Sequence, residues 1–519
     1  MPVVSYLRDK AERMFPELIE TMLAPQGTVT ISQDEDGKTR IRKDTDYFLR
    51  ELNSGEEIIL DFGDHQTGYL TLELEATGHH PDAPAWMELQ FAENPREFFE
   101  NPKEYRGWIS SGWIQTEQVH VDLFPTNLTL PRRYAFRYVK IRAISISRNY
   151  HLIVREARVK AVSSADDSKL LAYETEDTRA AQLDRLAVRT LHECMQKVFE
   201  DGPKRDRRLW LGDLRMEALV NYETYQQNDL VKLCLYLFAS DVTDQGQVAS
   251  NVFIEPQIEA DFGLMFDYSL FFISTLLEYY RQSQDRQTLE DLYPTAMKQL
   301  ELAARLKGRD GIIGDTSPMG ICFVDWNLDL DKTASAQGIY LYCLKDAIQL
   351  ANCLGDEVKA QALTREYGAL KLASREYFLD SRTGVFVSGE QKQISWASQC
   401  WLILGGAVDS DEGACILHWM EQMEEKEVSQ MVSPYMYHVY VDALIECGQK
   451  EKALAVLKEY WGGMADEGAD TFWELYNPKN PQESPYGGTI VNSYCHAWSC
   501  APAYFLRKYY QSDRESKRG

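Results

Sequence analysis

Near Ser163 the period of the hydrophobic pattern changes from two to 3.6, and this change divides the chain into two parts of different fold class. Before it, Ile58-Ile-Leu-Asp-Phe, Gly68-Tyr-Leu-Thr-Leu-Glu-Leu-Glu and Trp86-Met-Glu-Leu-Gln-Phe alternate apolar and polar residues. Val119-His-Val-Asp-Leu, Tyr138-Val-Lys-Ile-Arg-Ala and Ile153-Val-Arg-Glu-Ala-Arg-Val continue the alternation, with Gly, Pro and His clusters between the runs. Short strands at such intervals, without intervening helices, predict an antiparallel β-sandwich over residues 51–165. Residues 1–50 read as a lead-in with one helical pattern, Tyr6 to Met22. Lys103 to Trp113 reads as a long loop between strands.

After Ser163 the strand pattern stops. Twelve candidate helices follow within residues 170–512, the first running Thr178–Phe199 and the last Thr489–Tyr510. Consecutive helices joined by short loops are antiparallel neighbours, and six such hairpins closed in a ring make an (α/α)6 toroid. A helical solenoid would use the same elements, but it requires a fixed-period repeat, and the toroid ranks ahead of it. A chain of 519 residues exceeds what one hydrophobic core supports, which agrees with two or more domains.

In a toroid, connections from odd- to even-numbered helices open on one face. Three of them are rich in carboxylates and Trp. Between helices one and two lies Asp201-Gly-Pro-Lys-Arg-Asp-Arg-Arg-Leu-Trp-Leu-Gly-Asp213, with three carboxylates, four cations and a Trp in thirteen residues. Between five and six lies Cys322-Phe-Val-Asp-Trp-Asn, and between eleven and twelve Gly468-Ala-Asp-Thr-Phe-Trp-Glu-Leu-Tyr. Loops held by a scaffold are where function concentrates. Carboxylates with Trp, and no phosphate-binding glycine loop or Ser/His/Asp spacing, point to glycoside chemistry. There one carboxylic acid protonates a leaving oxygen and one carboxylate activates water or attacks the anomeric carbon.

The rest of the composition excludes other classes. A net charge of −25 opposes binding to nucleic acid or to an acidic membrane surface. The ten Cys all fall between Cys194 and Cys500, none in a C-x-x-C pair and none in a zinc-ligand spacing, so no metal or other cofactor is expected. Most lie in apolar helical runs and read as buried thiols of a reducing compartment. With no apolar stretch of signal-peptide or membrane-spanning length in the sequence as given, the expectation is a cytoplasmic protein. A small carbohydrate or glycoside is the expected partner, with homo-oligomerisation left open.

The ordered motifs carry a resemblance. Asp201-Gly-Pro-x-Arg-Asp-Arg-x-Leu-Trp-x-Gly-Asp213 resembles the signature of glycoside hydrolase family 78, the α-L-rhamnosidases. Ile59-Leu-Asp-Phe-Gly-x-x-x-x-Gly68-Tyr-Leu and Phe136-Arg-Tyr-Val-Lys-Ile are similar to the sandwich domain that precedes that family's toroid. Asp267-Tyr-Ser-Leu, Val324-Asp-Trp, Ser433-Pro-Tyr-Met, Tyr460-Trp-Gly-Gly-Met, Thr471-Phe-Trp-Glu474 and Ser493-Tyr-Cys-His496-Ala-Trp-Ser are similar to its later landmarks.

The resemblance implies an inverting hydrolase that removes terminal α-linked L-rhamnose. It places the general acid at Asp206 and the general base at Glu474. It implies sugar contacts from Asp201, Arg205 and Asp213, aromatic walls from Trp210, Trp326 and Trp473, and a pocket-closing His496; Asp325, next to Trp326 on the same presumed face, reads as a further sugar contact. Two departures stand out. Asp206 occupies a position where the family has Glu, which shortens the acid by about 1 Å. A further β-sandwich that usually follows the toroid is absent from the sequence as it stands. The substitution leaves two alternatives beside the rhamnosidase: a related toroid glycosidase or lyase acting on another deoxy- or acidic sugar, or a carbohydrate-binding protein that has lost hydrolysis.

Overall fold

The computed structural model describes residues 5–35, 37–44 and 50–511. It opens with helix α1 (Ser5–Glu12), followed by nine strands: β1 (Ile19–Leu23), β2 (Gly27–Gln33), β3 (Thr39–Lys43), β4 (Glu57–Gly78), β5 (Ala85–Ala92), β6 (Thr116–Val121), β7 (Thr126–Thr129), β8 (Tyr134–Ser145) and β9 (Tyr150–Ser163). All pairings are antiparallel, in the order β1-β9-β4-β8-β5-β6, with β2 joining β3 to β4 and β7 added to β4. The 22-residue β4 explains why the strands form one hydrogen-bonded network. Its first half pairs with β8, with a register shift between Asp61 and Gln66, and from Gly68 its second half pairs with β9. Leu60, Leu70, Leu72 and Leu74 of β4 are buried with Met87, Leu89, Phe136 and Val139 in the core of this domain.

The predicted helix Tyr6–Met22 ends at Glu12, and Ile19–Leu23 is a strand. Pro16 interrupts the helix by removing a backbone donor. The Ile, Thr and Leu beyond it suit a strand and pair with β9 from Ile19↔Ser163 to Leu23↔Val159. Helix α1 docks on the helical domain, where Arg8 donates to Ser240 Oγ and to the carbonyl of Ile258.

The helical domain consists of α2 (Thr178–Cys194), α3 (Leu211–Glu223), α4 (Asn228–Ser240), α5 (Phe266–Ser283), α6 (Arg286–Ala304), α7 (Thr333–Leu354), α8 (Glu357–Phe378), α9 (Trp396–Leu404), α10 (Ser410–Gln422), α11 (Pro434–Glu446), α12 (Lys450–Asp466) and α13 (Ala501–Tyr509). Packing runs α3 to α5, α7, α9 and α11 in turn. The ring closes through α13 and the turn Ala497–Ser499, both of which pack on α3. These are the inner helices of an (α/α)6 toroid, and α2, α4, α6, α8, α10 and α12 are the outer ones. The sequence reflects the two layers: every residue of α3 is buried, whereas α8 buries only Ala360, Leu363, Leu370, Ser374 and Phe378. A small sheet of β10 (Leu209–Trp210), β11 (Asn251–Phe253) and β12 (Glu259–Asp261) ties the end of the charged 201–213 stretch to the next outer-to-inner region.

The last predicted helix, Thr489–Tyr510, is helical only from Ala501. Its first half spends its backbone donors elsewhere. Tyr494 N donates to Glu93 Oε2, His496 N to the carbonyl of Phe472, and Ala497 N to the carbonyl of Asp201. Pro502 then starts the helix where no donor is needed. The sheet domain thereby fastens this loop. Glu100 of the segment after β5 accepts from Thr489, and Glu97 forms a fully buried ion pair with Lys204 at 2.5 Å.

Candidate active site

The three outer-to-inner loops named from the sequence meet at one end of the toroid. Arg205 of the α2–α3 loop lies 3.9 Å over the ring of Tyr486 in the α12–α13 loop. Tyr486 in turn meets Trp326 of the α6–α7 loop edge-on at 5.9 Å. Phe323 of that same loop stacks on Trp498 at 5.9 Å.

Asp201 organises the charged stretch. Its Oδ2 accepts from the amide of Asp206 and its Oδ1 from the amide of Arg208, each at 3.0 Å. The chain bends sharply between these two amides, with Arg207 at φ 64°, a left-handed conformation that costs a non-glycine residue. The bend decides where the cations go. Arg207 turns back onto the carbonyls of Pro203 and Arg133, Arg208 lies over Phe253, and Lys204 is buried on Glu97 and the carbonyls of Ile490 and Asn492. Arg205 is the cation of this stretch that faces Asp206, at 4.0 Å. Gly202 permits the bend, since a Cβ there would lie 2.7 Å from both the carbonyl of Arg205 and Ser493 Oγ.

Arg205 carries more than its place beside Asp206. Its Nη2 donates to Glu474 Oε2 at 2.5 Å and its Nε to the carbonyl of Val491 at 2.7 Å. Tyr486 donates its hydroxyl to the other oxygen, Glu474 Oε1. One guanidinium thus spans the two carboxylates assigned acid and base. Its terminal nitrogens are about 2.3 Å apart, so an Asp206 oxygen and a Glu474 oxygen lie within about 9 Å of each other. Both the separation of inverting enzymes, from roughly 6.5 Å upward, and the roughly 5–5.5 Å of retaining ones fall within that bound. Burial raises the Glu474 pKa above the ordinary glutamate value, and Arg205 and Tyr486 hold it back. The side chain of Asp206 is 28% exposed and that of Glu474 only 6%, so Asp206 faces the open side.

Beside this pair lies a buried cluster of polar groups. Asp213, in the first turn of α3, has its Oδ1 3.7 Å from His496 Nδ1, while His496 Nε2 is 3.9 Å from Asp201 Oδ2. Burial, then the Asp201 and Glu474 charges, pushes the Asp213 carboxyl well above its usual range. Burial and the Asp206 charge push Asp201 up to about 8. Burial and Arg205 hold His496 well below the usual imidazole value, so its ring is neutral and offers one donor and one acceptor. Asp213 Oδ1, His496 Nδ1, Trp326 Nε1 and Tyr435 Oη are buried without a protein hydrogen-bond partner. Trp210, Tyr268, Tyr435 and Trp498 supply rings around them, Trp210 meeting Tyr268 at 6.3 Å and Tyr435 meeting Trp498 at 5.4 Å. Donors, acceptors and aromatic faces together suit a small hydroxylated ring. Among the described residues no group of His, Cys, Asp and Glu is arranged to hold a metal ion.

Several predicted sugar contacts take other roles. Trp473 is almost wholly buried, packed on Tyr476, Tyr494 and the Arg96 guanidinium, so it is a core residue and not a wall. Its neighbour Glu474 takes the site side. Asp325 spends its carboxylate on Val432 N, Ser433 N, Ser433 Oγ and Trp326 N, and so ties the α6–α7 loop to the start of α11. Asp201 holds the loop through two amides, and Arg205 holds Glu474; both act on protein groups. His496 lies in a loop ahead of a short turn, not inside a helix. Asp206, Trp210, Asp213, Trp326, Glu474 and His496 lie at the same end of the toroid. Sequence reasoning missed Tyr486, whose signal, a Tyr twelve residues after Glu474 in a Gly- and Pro-rich loop, is too generic to read. It also left Tyr268 and Trp498 unassigned.

A carboxylate pair bridged by a guanidinium, beside a buried cluster of aromatic and polar groups at one end of an (α/α)6 toroid, defines a glycoside hydrolase of the six-hairpin class. Comparison with known proteins makes the assignment narrower. Residues 25–161 match the glycosyl hydrolase family 78 α-rhamnosidase N-terminal domain, and residues 169–510 match the bacterial α-L-rhamnosidase six-hairpin glycosidase domain. The chain belongs to glycoside hydrolase family 78, the α-L-rhamnosidases.

It is similar to a rhamnosidase from Klebsiella oxytoca, solved with rhamnose bound, at 42% identity and a TM-score of 0.94 over 98% of this chain and 99% of that one. A family 78 rhamnosidase of Bacillus sp. GL1 shares the fold at 20% identity and a TM-score of 0.74, over 88% of this chain and 47% of the longer Bacillus chain. A search among curated proteins gave no match.

Proposed function

We propose that the protein is an exo-acting α-L-rhamnosidase that hydrolyses terminal α-linked L-rhamnose with inversion at the anomeric carbon. Family membership and the 42% identical, rhamnose-bound Klebsiella relative support the sugar. The observation that carries the mechanism is the Arg205 guanidinium shared by Asp206 and Glu474. Glu474, anionic between Arg205 and Tyr486, takes a proton from water as the water oxygen bonds to the anomeric carbon. Asp206 gives its proton to the leaving oxygen as the glycosidic bond breaks. Negative charge thus passes from Glu474 to Asp206, and Arg205 lies between the two positions throughout, so the transfer needs little reorganisation. Asp213, His496, Trp326 and Tyr435 are the groups available to the sugar's hydroxyls. All ten cysteines are unpaired thiols, which supports a reducing, cytoplasmic setting.

The test is turnover of an aryl α-L-rhamnoside by the wild-type protein and its loss in Glu474→Gln. Turnover of other aryl glycosides with none of the rhamnoside would instead support a toroid glycosidase of different sugar specificity. Rhamnose binding without any turnover would make the protein a carbohydrate-binding one.

A further inference from the structure

Asp206 also lines a cavity of about 530 Å³ between the two domains. Tyr69 of β4 and Trp113 of the 103–113 loop form the sheet-domain wall, and Phe253 and Ile254 at the end of β11 form the helical-domain wall. The charged side chains around it already have partners. Arg133 pairs with Glu200 at 2.6 Å and Lys197 with Glu255 at 2.7 Å, while Arg207 is bonded to backbone carbonyls. The Arg208 guanidinium lies over Phe253 at 4.3 Å. What remains for a ligand is the rings of Tyr69 and Trp113, with Phe253 covered by Arg208, and a polar rim. The volume is that of a pocket for one or two rings.

A general acid must reach the leaving oxygen within hydrogen-bond distance, so whatever is attached to that oxygen lies beside the acid. Resting on the reading of Asp206 as that acid, we propose that this cavity is the leaving-group subsite and that it selects a flat, hydroxyl-bearing ring. As the glycosidic bond breaks, the Asp206 proton passes to the departing oxygen, and the released alcohol occupies the Tyr69–Trp113–Phe253 cavity. Trp113 is its principal platform. The sheet domain, which contributes neither Asp206 nor Glu474, thereby sets specificity for the part of the substrate that departs. A phenolic ring and a second sugar both present such a face to Trp.

The experiment compares wild type with Trp113→Ala and Trp113→Phe on three α-L-rhamnosides whose leaving groups are methanol, a phenol and glucose, and measures inhibition by free L-rhamnose. Trp113→Ala is expected to lower kcat/KM at least tenfold for a ring-bearing leaving group. The methyl rhamnoside and the rhamnose inhibition constant should stay within twofold, and Trp113→Phe should restore most of the loss. The arm that loses more identifies the ring, phenol or sugar. Tyr69→Ala gives the same selective pattern and serves where Trp113→Ala does not fold. An equal loss on all three substrates, or no loss on any, overturns the subsite while leaving the rhamnosidase reading intact. A wild-type protein that cleaves none of the three overturns both.

Discussion

Arg205 and Glu474 form an ion pair of 2.5 Å whose side chains are 4% and 6% exposed, and the Arg205 guanidinium reaches on to Asp206 at 4.0 Å. Lysine offers a point charge without the planar fork, and it cannot lie flat over Tyr486 while donating in two directions. Arg205→Lys is therefore expected to lower kcat by about 10²-fold with a smaller change in KM. Steady-state kinetics on an aryl rhamnoside test this; an unchanged kcat would show that Arg205 only supports the loop.

Tyr486 donates to Glu474 and so favours its anionic form. The base must be ionised, and activity is lost as pH falls through its pKa. Tyr486→Phe removes one stabilising donor, raises that pKa, and moves the acidic limb of the kcat/KM profile to higher pH. A limb that stays in place would separate Tyr486 from the base.

Asp206→Asn removes the proton donor, and its cost depends on how much the leaving group needs one. A rhamnosyl sugar, whose leaving oxygen is strongly basic, is expected to lose about 10³-fold or more. A nitrophenyl rhamnoside, which departs as a stable anion, should lose far less. Equal losses on both would remove Asp206 from the acid role.

Trp473 and Trp326 were both read as walls, and the structure separates them. Trp473→Ala opens a core cavity and is expected to cost about 3–5 kcal/mol of stability. Trp326→Ala, in the site, only partly buried and with its indole N–H free of a protein partner, should cost clearly less stability than Trp473→Ala and raise KM roughly tenfold, on the scale of 1.4 kcal/mol. Chemical denaturation and kinetics on the two variants distinguish the roles.

Glu217 of α3 is buried with neither carboxylate oxygen bonded, and burial, then Asp213 and Asp201, pushes its pKa well above the usual value. The folded state therefore holds a proton that the unfolded chain releases near pH 4.3. Its contribution to stability is full below that pH and is lost as pH rises toward the folded-state pKa. Glu217→Gln has no proton to hold, so its stability relative to wild type should increase from pH 5 to 8 in denaturant titrations. A constant difference would contradict the shift.

The two-part architecture was legible because the strands and the outer helices have one-sided burial that prints its period on the sequence. Ile58 to Val159 alternates, and the twelve toroid helices lie near their expected positions. Legibility failed where long-range hydrogen bonds override local preference. Thr489–Cys500 reads as helix, yet its amides donate to Glu93, Phe472 and Asp201. Ile19–Leu23 is a strand because β9 offers an open edge beside it. Within the site, residue types were readable and directions were not. Asp201, Asp325 and Trp473 lie in the right loops but are taken up by protein groups, whereas Asp213 and Trp326 keep polar atoms without a protein partner. Which way a loop side chain turns depends on contacts far along the chain, such as Lys204 with Glu97, 107 residues apart.

The account rests on Asp206 and Glu474 acting from opposite sides of the anomeric carbon, and the configuration of the first-formed product tests that most directly. Proton NMR of an α-L-rhamnoside digest, recorded before mutarotation, should show β-L-rhamnose appearing first and the α-anomer only later. Initial release of α-L-rhamnose would mean retention, and would contradict the assignment of the two carboxylates as acid and base around an attacking water.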